Sequence, residues 1–142
     1  MIQIREAREN DAQSLAELNQ EFNGLMRPVQ EIAIALQATG SPEVVLIAED
    51  KGIVGFACYQ ILYSVCYDAP WMEITELYVI PAHRRCGAGK ALVSEALNRA
   101  EHAGVSEVLV RTNVKNEAAK TLFKEIGLVA AQDRVFCRSI EK

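Results

Sequence analysis

The spacing of apolar residues along the chain predicts strands and helices that alternate. Apolar residues that alternate with polar ones, or form short β-rich runs between turn residues, predict seven strands. They lie at 2–7, 43–49, 53–63, 71–79, 107–113, 128–132 and 134–140. Apolar residues three to four positions apart predict four helices. They lie at 10–23, 28–40, 89–104 and 116–127. This mixed order predicts a single α/β domain over 1–142 with a mixed sheet.

Composition narrows the classes of function. The chain has 142 residues, half of them hydrophobic, and a formal net charge of -4. Nucleic acid is not expected as a partner, because phosphate binding needs a basic surface. The four cysteines show no C-x-x-C spacing and there are two histidines, so no metal site is expected. We find neither a signal peptide nor a membrane-spanning run, and we expect free thiols in a reducing cytoplasm.

The segment between the fourth strand and the third helix carries two arginines and two glycines. A glycine-bearing turn before a helix can hold phosphate, because the first N–H groups of the helix lack internal partners and the helix dipole is positive there. Two phosphate-binding patterns fail. The P-loop needs glycine where Arg84 stands and serine or threonine where Ala91 stands. The dinucleotide fingerprint needs a third glycine where Leu92 stands.

A third pattern, [QR]-x-x-G-x-[GA] after a strand that ends in hydrophobic-x-Val-x-Pro, matches in full. Arg84, Gly87 and Gly89 occupy its fixed positions, and the strand end is 77–81. The segment 116–128, NEAAKTLFKEIGL, is similar to a second motif, N-x-x-A-x-x-L-[YF]-x-x-x-G-[FL]. Together they resemble the GNAT superfamily of acetyl-CoA-dependent N-acetyltransferases. The resemblance implies a mostly antiparallel sheet of about six or seven strands flanked by about four helices.

The resemblance also implies where acetyl-CoA would bind as cosubstrate. Backbone N–H groups of 84–90 would cradle the pyrophosphate, and the strand edge at 77–79 would pair with the pantetheine arm, as a peptide adds to a sheet. Asn116 would donate a hydrogen bond to the coenzyme, and Phe123 would pack near its thiol. The expected coenzyme-binding residues are Leu77, Tyr78, Val79, Arg84, Arg85, Cys86, Gly87, Ala88, Gly89, Lys90, Asn116 and Phe123.

An acetyltransferase of this kind needs a general base, because an alkyl ammonium has a pKa of roughly 10 and is rarely deprotonated at neutral pH. Side chains alternate along a strand, so Glu73 and Val79 are expected to share one face. The family has its base at this spacing and an oxyanion-stabilising N–H at the position of Val79. Glu73 is therefore the first candidate for the base. Glu76 becomes the candidate if a bulge reverses the alternation.

Many members of the family have a tyrosine at the position of Phe123, and it protonates the leaving thiolate. Tyr63, Tyr67 and Tyr78 are the candidate substitutes. A primary amine of a small molecule is the leading acceptor. Acetylation of a protein or peptide, and a non-catalytic acyl-CoA-binding module, are the alternatives. The acceptor site is expected near 19–39 and 63–71, where the candidate contacts are Glu21, Phe22, Glu31, Tyr63, Tyr67, Asp68 and Trp71. A homodimer is one expected assembly, since dimers are common in the family.

Overall fold

The computed structural model describes residues 1–140, which form one five-stranded sheet with helices on both faces. The strands are β1 (Gln3–Glu6), β2 (Glu43–Glu49), β3 (Ile53–Leu62), β4 (Trp71–Val79) and β5 (Val108–Val110). The helices are α1 (Ala12–Asn23), α2 (Val29–Gln37), α3 (Ala88–His102) and α4 (Glu117–Glu125). The strand order follows the sequence, and β5 pairs with β4 in parallel while all other neighbours are antiparallel. The predicted fold class is confirmed.

The strand count is five rather than six or seven, because the two strands predicted at the carboxyl end do not form. Residues 128–140 lie outside the helices and strands. Their large apolar side chains stay exposed, with Phe136 at 93% and Val129 at 88%. A sequence of high β-propensity forms a strand when one of its faces packs on a core, and residues 128–140 have no core against either face. The strand predicted over 107–113 likewise shortens to β5.

Two apolar cores cover the two faces of the sheet. On one face the central strands pack against α3 and α4, and on the other against α1 and α2. The larger core includes Leu46, Ala57, Tyr59, Met72, Ile74, Leu92, Val93, Ala96 and Phe123. The smaller core consists of Leu15, Leu18, Ile47, Phe56 and Cys58. Consecutive residues of β2 and β3 enter opposite cores, as the two-residue period of a strand requires.

A buried ion pair fixes the start of α1 to the sheet. Arg5 on β1 donates two hydrogen bonds to the Asp11 carboxylate, at 2.7 and 2.9 Å, and a third to Glu49 on β2 at 3.2 Å. Asp11 is 5% exposed and also accepts a hydrogen bond from the backbone N–H of Arg8. These hydrogen bonds, above all those from Arg5, hold the pKa of Asp11 below its usual range. Within residues 1–140, the helices are too short or too polar to cross a membrane.

Candidate active site

A β-bulge interrupts β4 in the middle of the sheet. Cys58 of β3 lies opposite Glu76, and the next residue of β3, Tyr59, lies opposite Ile74. Thr75 is therefore the extra residue on β4, and its hydroxyl donates to the carbonyl of Cys58 at 3.4 Å. One extra residue reverses the facing of every side chain beyond it.

The bulge corrects the expected facing of Glu73. Leu77 and Val79 pack in the core beneath α3, whereas Glu73 lies opposite Gln60 and Glu76 opposite Cys58. Both glutamates therefore point to the face covered by α1 and α2. The expectation that Glu73 shares a face with Val79 is wrong, because counting residues in the sequence treats Thr75 as an ordinary strand position and the bulge leaves it without a partner on β3.

Glu76 opens into a cavity of about 510 Å³ between the sheet and the first two helices, and Glu73 is not among the residues that line it. The apolar walls include Leu15, Ile32, Leu36, Val45 and Phe56. The polar side chains that line it include Asn19, Arg27, Glu43, Cys58 and Glu76. Part of this wall comes from the predicted segment 19–39, but none of the acceptor contacts proposed from the sequence lines the cavity. The sequence did not point to Glu43 as a lining residue, because its position predicts only the first residue of a strand.

Three ionisable side chains interact at the floor of the cavity. Desolvation, followed by the negative charge of Glu43, raises the pKa of Glu76. Desolvation also raises the pKa of Glu43, and hydrogen bonding from the Cys58 thiol and the charge of Arg27 oppose that shift. Desolvation and both carboxylates raise the pKa of Cys58, so the thiol stays protonated at neutral pH. Cys58 is therefore a hydrogen-bond donor and not a nucleophile.

The far half of β4 has an open edge on the side of β5. The parallel pairing with β5 covers Met72 to Ile74 and goes no further in the described part of the chain. The backbone N–H of Ile80 donates to the carbonyl of Val54 at 2.9 Å. Hydrogen-bonded and non-hydrogen-bonded pairs alternate in an antiparallel ladder, so the peptide groups of Leu77 and Val79 point away from β3 towards this open edge.

The turn that follows β4 brings backbone N–H groups together. Arg85 and Gly87 both have left-handed backbone, with φ of 65° and 87°, and α3 begins at Ala88. Left-handed residues next to a helix start form a concave nest of N–H groups that suits an anion. Arg84, Arg85, Cys86 and Gly87 are exposed, as is Lys90, whereas the side chain of Ala88 is buried and only its backbone belongs to this turn.

Arg84 connects this turn to β4. Its Nε donates to the carbonyl of Val79 at 3.0 Å, and its guanidinium lies 5.5 Å from the centroid of the Tyr78 ring. The Tyr78 hydroxyl donates to Glu21 at 2.9 Å, and the ring stacks on Phe22. Desolvation and Glu21 raise the pKa of Tyr78. Tyr78 thus presents its side chain to α1, on the face of the sheet opposite to Phe123.

The second motif forms the start of α4. The side chain of Asn116 caps the helix by accepting from the backbone N–H of Ala119 at 3.1 Å. Phe123 is 8% exposed and packs in the larger core. Leu122 lies against the first turn of α3, where a Cβ on Gly89 would stand 3.2 Å from its Cδ2. Within residues 1–140 there is no group of three or more side chains that would suit a metal ion.

Comparison with known proteins identifies the family. The sequence pattern of the "Acetyltransferase (GNAT) family" matches residues 9–128. The chain belongs to this family. It is therefore an acyltransferase that uses acetyl-CoA, as the two motifs indicated.

The chain is also similar to individual proteins of the family. "Uncharacterized N-acetyltransferase YhfO" of Bacillus subtilis is 27% identical over 133 residues, which cover 89% of each chain. "Thialysine N-epsilon-acetyltransferase" of Mus musculus is 27% identical over 146 residues, which cover 92% of this chain and 84% of the relative. The crystal structure of aminoglycoside acetyltransferase meta-AAC0020, from an uncultured soil metagenomic sample and in complex with sisomicin, has a TM-score of 0.83. That match has 21% identity and covers 99% of this chain and 97% of the other, which shows a shared fold.

Proposed function

We propose that the protein transfers the acetyl group of acetyl-CoA to a primary amine of a small molecule, and that Glu76 is the general base. One observation carries the proposal. At the bulge, the carboxylate of Glu76 faces the cavity under α1 and α2, while the peptide groups of Leu77 and Val79 face the open edge of β4. Acetyl-CoA bound along that edge and an acceptor amine bound in the cavity would approach the same point of β4 from two sides.

The turn and the open edge fit the chemistry of coenzyme A. The nest around Arg85 and Gly87, together with the first turn of α3, offers N–H donors to a pyrophosphate. The free N–H and carbonyl of Leu77 would pair with an extended amide-bearing arm, as in strand addition, whereas the carbonyl of Val79 already accepts from Arg84. The amide nitrogen of Asn116 remains available for a donated hydrogen bond, because its oxygen is the group that caps α4. When bound, acetyl-CoA supplies the acetyl group as a thioester.

Glu76 is suited to accept the proton of the acceptor amine. A carboxylate of ordinary pKa is a weak base at neutral pH, and a raised pKa improves the match to proton transfer. Desolvation and the neighbouring charge of Glu43 both act in that direction. The backbone N–H of Val79 faces the open edge and would donate to the acyl oxygen as negative charge develops there.

Loss of the usual tyrosine in α4 is compatible with this chemistry. Phe123 is buried in the core and has no proton to give. Tyr78 is engaged with Glu21 on the other face of the sheet, and Tyr63 and Tyr67 are 78% and 70% exposed. A thiol has a pKa of about 8.5, so a thiolate leaves acceptably near neutral pH without an acid. We propose that the leaving group takes its proton from water.

The dimensions of the cavity favour a small acceptor over a peptide. Its volume falls in the range of about 300–1,000 Å³ that is typical of small-molecule sites. The names of similar proteins state acceptors of both kinds, an aminoglycoside and thialysine on one side and a ribosomal protein on the other. The preference for a small acceptor therefore rests on the cavity.

Release of free thiol from acetyl-CoA tests the proposal. The purified protein is incubated with acetyl-CoA and with aliphatic amines, an aminoglycoside, thialysine, and a peptide with a free α-amine and a lysine. Turnover with at least one small amine and a much lower rate with the peptide is the expected result. Turnover confined to the peptide would replace the proposal with protein acetylation. Tight binding of coenzyme A with no turnover on any acceptor would replace it with a non-catalytic binding module.

A further inference from the structure

We propose that Glu43 binds a second positive charge on the acceptor, so that the preferred substrate is an aliphatic diamine and not a monoamine. This inference rests on the proposed function, because it assumes that the amine to be acetylated lies at Glu76. It assigns a specificity role to a residue that belongs to neither family motif.

Strand register places the two carboxylates on one face of the sheet in neighbouring rows, with Glu43 in the row of Gln60 and Glu73. Glu76 on β4 lies opposite Cys58 on β3, and Cys58 lies opposite Val45, two residues along β2 from Glu43. All these side chains face the cavity. Neighbouring strands are about 4.8 Å apart, so β2 and β4 are separated by about 10 Å. A flexible chain with a nitrogen at each end can span a gap of this size.

The Cys58 thiol occupies the space between the two carboxylates. It is buried and stays protonated beside both carboxylates. A protonated thiol carries no positive charge. It therefore does not neutralise the negative charge of the Glu43 side chain.

No cationic side chain of the described residues lies within 4 Å of the carboxylate of Glu43 or Glu76, since neither takes part in any of the ion pairs there. Arg27 also lines the cavity, and its charge favours the ionised form of Glu43. Its Nε, however, is 3.5 Å from Glu31, in an exposed pair that is weakly held. An ammonium group of a ligand can therefore enter beside Glu43 without displacing a strong internal partner.

The walls between the two carboxylates suit methylene groups. Val45 and Phe56 extend from β2 and β3, and Leu15 covers them from α1. An aliphatic linker would contact these side chains, while a sugar-like linker would leave several hydroxyl groups without partners. The chemistry of the site therefore fits two amines joined by a few methylene groups.

A ratio of rates separates recognition from general damage. We would measure kcat/KM with acetyl-CoA for 1,5-diaminopentane and for 1-aminopentane, which share one chain length and differ by one charge. The parent protein should prefer the diamine. Glu43→Gln keeps the shape and removes the charge, so the diamine-to-monoamine ratio should fall by about tenfold to a hundredfold, mainly through KM of the diamine. Glu43→Asp should retain part of the preference. Glu125→Gln on α4 makes the same charge change on an exposed residue far from the cavity and should leave the ratio unchanged.

The outcomes distinguish this inference from the proposed function. If both amines are acetylated and Glu43→Gln leaves their ratio unchanged, the inference is overturned while the acetyltransferase proposal stands. If neither amine is acetylated, titration calorimetry of the coenzyme A-loaded protein with 1,5-diaminopentane decides. Binding that weakens about tenfold or more in Glu43→Gln supports the diamine site on a protein with another reaction. Equal binding by the parent and Glu43→Gln, or no binding, rejects the site.

Discussion

In the proposed site, the two sides of β4 would recognise their ligands with different parts of the chain. On the coenzyme side, the groups offered are peptide N–H groups of the open edge and of the turn around Arg85 and Gly87. On the acceptor side, the groups offered are side chains, chiefly Glu43 and Glu76, that come from separate strands. Backbone recognition depends on conformation, which local glycines and the helix start determine. Side-chain recognition depends on register across the whole sheet.

This difference teaches which changes each side tolerates. The coenzyme side should tolerate many side chains, including those at Arg85 and Cys86, as long as its backbone keeps its shape. The acceptor side keeps its backbone under substitution but changes its chemistry with every side chain. In a family with one coenzyme and many acceptors, we expect the backbone to bind the coenzyme and the side chains to select the acceptor.

The largest effect that we expect is on the acceptor side, from Glu76→Gln. The substitution keeps the shape and removes the base, so kcat at neutral pH should fall by about a hundredfold to ten-thousandfold. Affinity for coenzyme A, measured by calorimetry, should barely change. Glu73→Gln is the matched control, because Glu73 lies on the same face but does not line the cavity, and it should lose much less. If Glu73→Gln is the crippled variant and Glu76→Gln is not, the base is Glu73.

The dependence of kcat on pH sharpens the same prediction. A base must be ionised, and the pKa of Glu76 is raised. Activity should therefore be lost as pH falls through a pKa above the usual range of a glutamate, and be fully present above it. Glu43→Gln removes a negative neighbour and should move this acid limb to lower pH. If the acid limb of the kcat–pH profile lies at the same pH in Glu43→Gln as in the parent, the two carboxylates are not coupled.

On the coenzyme side we expect the next largest effect, from Gly87→Glu. This substitution places a carboxylate at the anion nest and should raise Kd for coenzyme A by about a hundredfold or more, or about 2.7 kcal/mol. Part of the cost comes from the left-handed backbone, which costs about 1–2 kcal/mol for a residue with a Cβ. Gly87→Ala measures that part alone, since nothing lies within 4 Å of its Cβ. Equal Kd values for the two variants in calorimetry would show that phosphate does not lie at this turn.

The proposed coenzyme side rests on local signals of the sequence. A strand, a proline, two arginines, glycines and a helix follow one another within about twenty residues, and the backbone shape they specify is the proposed site. The sequence did not show which peptide groups are free. That depends on the end of β5 at Val110 and on the ladder between β3 and β4.

The acceptor side could be predicted only in outline. The sequence indicated the helices that form its wall, and it indicated that a bulge would exchange Glu73 for Glu76. It did not place the bulge, because Thr75 has strong β-propensity and no glycine or proline marks the position. Glu43 was missed because its relation to Glu76 runs through two strand pairings. The prediction of two carboxyl-terminal strands was wrong for the opposite reason, because it relied on local β-propensity. Residues 128–140 have that propensity but no core to pack against.

A smaller effect should come from the ion pair that holds the wall of the acceptor side. Asp11→Asn weakens the hydrogen bonds from Arg5 and leaves a half-buried guanidinium partly unpaired, so the free energy of unfolding should fall by about 2 kcal/mol. The folded pKa of Asp11 is depressed. Its contribution is therefore fully present above the unfolded pKa of about 3.9 and is lost as pH falls through the folded pKa. Urea titrations of both proteins between pH 3 and 7 should converge at the acid end. A gap that persists at low pH would assign the loss to packing.

The smallest effect should come from one of two glycines that bring the coenzyme side together, Gly89, and the other, Gly55, is its contrast. A Cβ on Gly55 of β3 would meet the carbonyl oxygen of Tyr78 at 2.6 Å, and a backbone atom can yield only if β4 shifts. Gly55→Ala should therefore lower the free energy of unfolding by about 1–3 kcal/mol and weaken coenzyme binding by moving the open edge. Gly89→Ala meets the movable end of Leu122 at 3.2 Å, has ordinary helical backbone, and gains helix propensity. Its unfolding free energy should stay within about 0.5 kcal/mol of the parent, in keeping with a motif that admits alanine there. Urea titration and calorimetry check both variants. If Gly89→Ala is the more damaging of the two, then the conformation of the coenzyme side depends on the contact of the first turn of α3 with α4. It would not depend mainly on the close approach of β3 to β4.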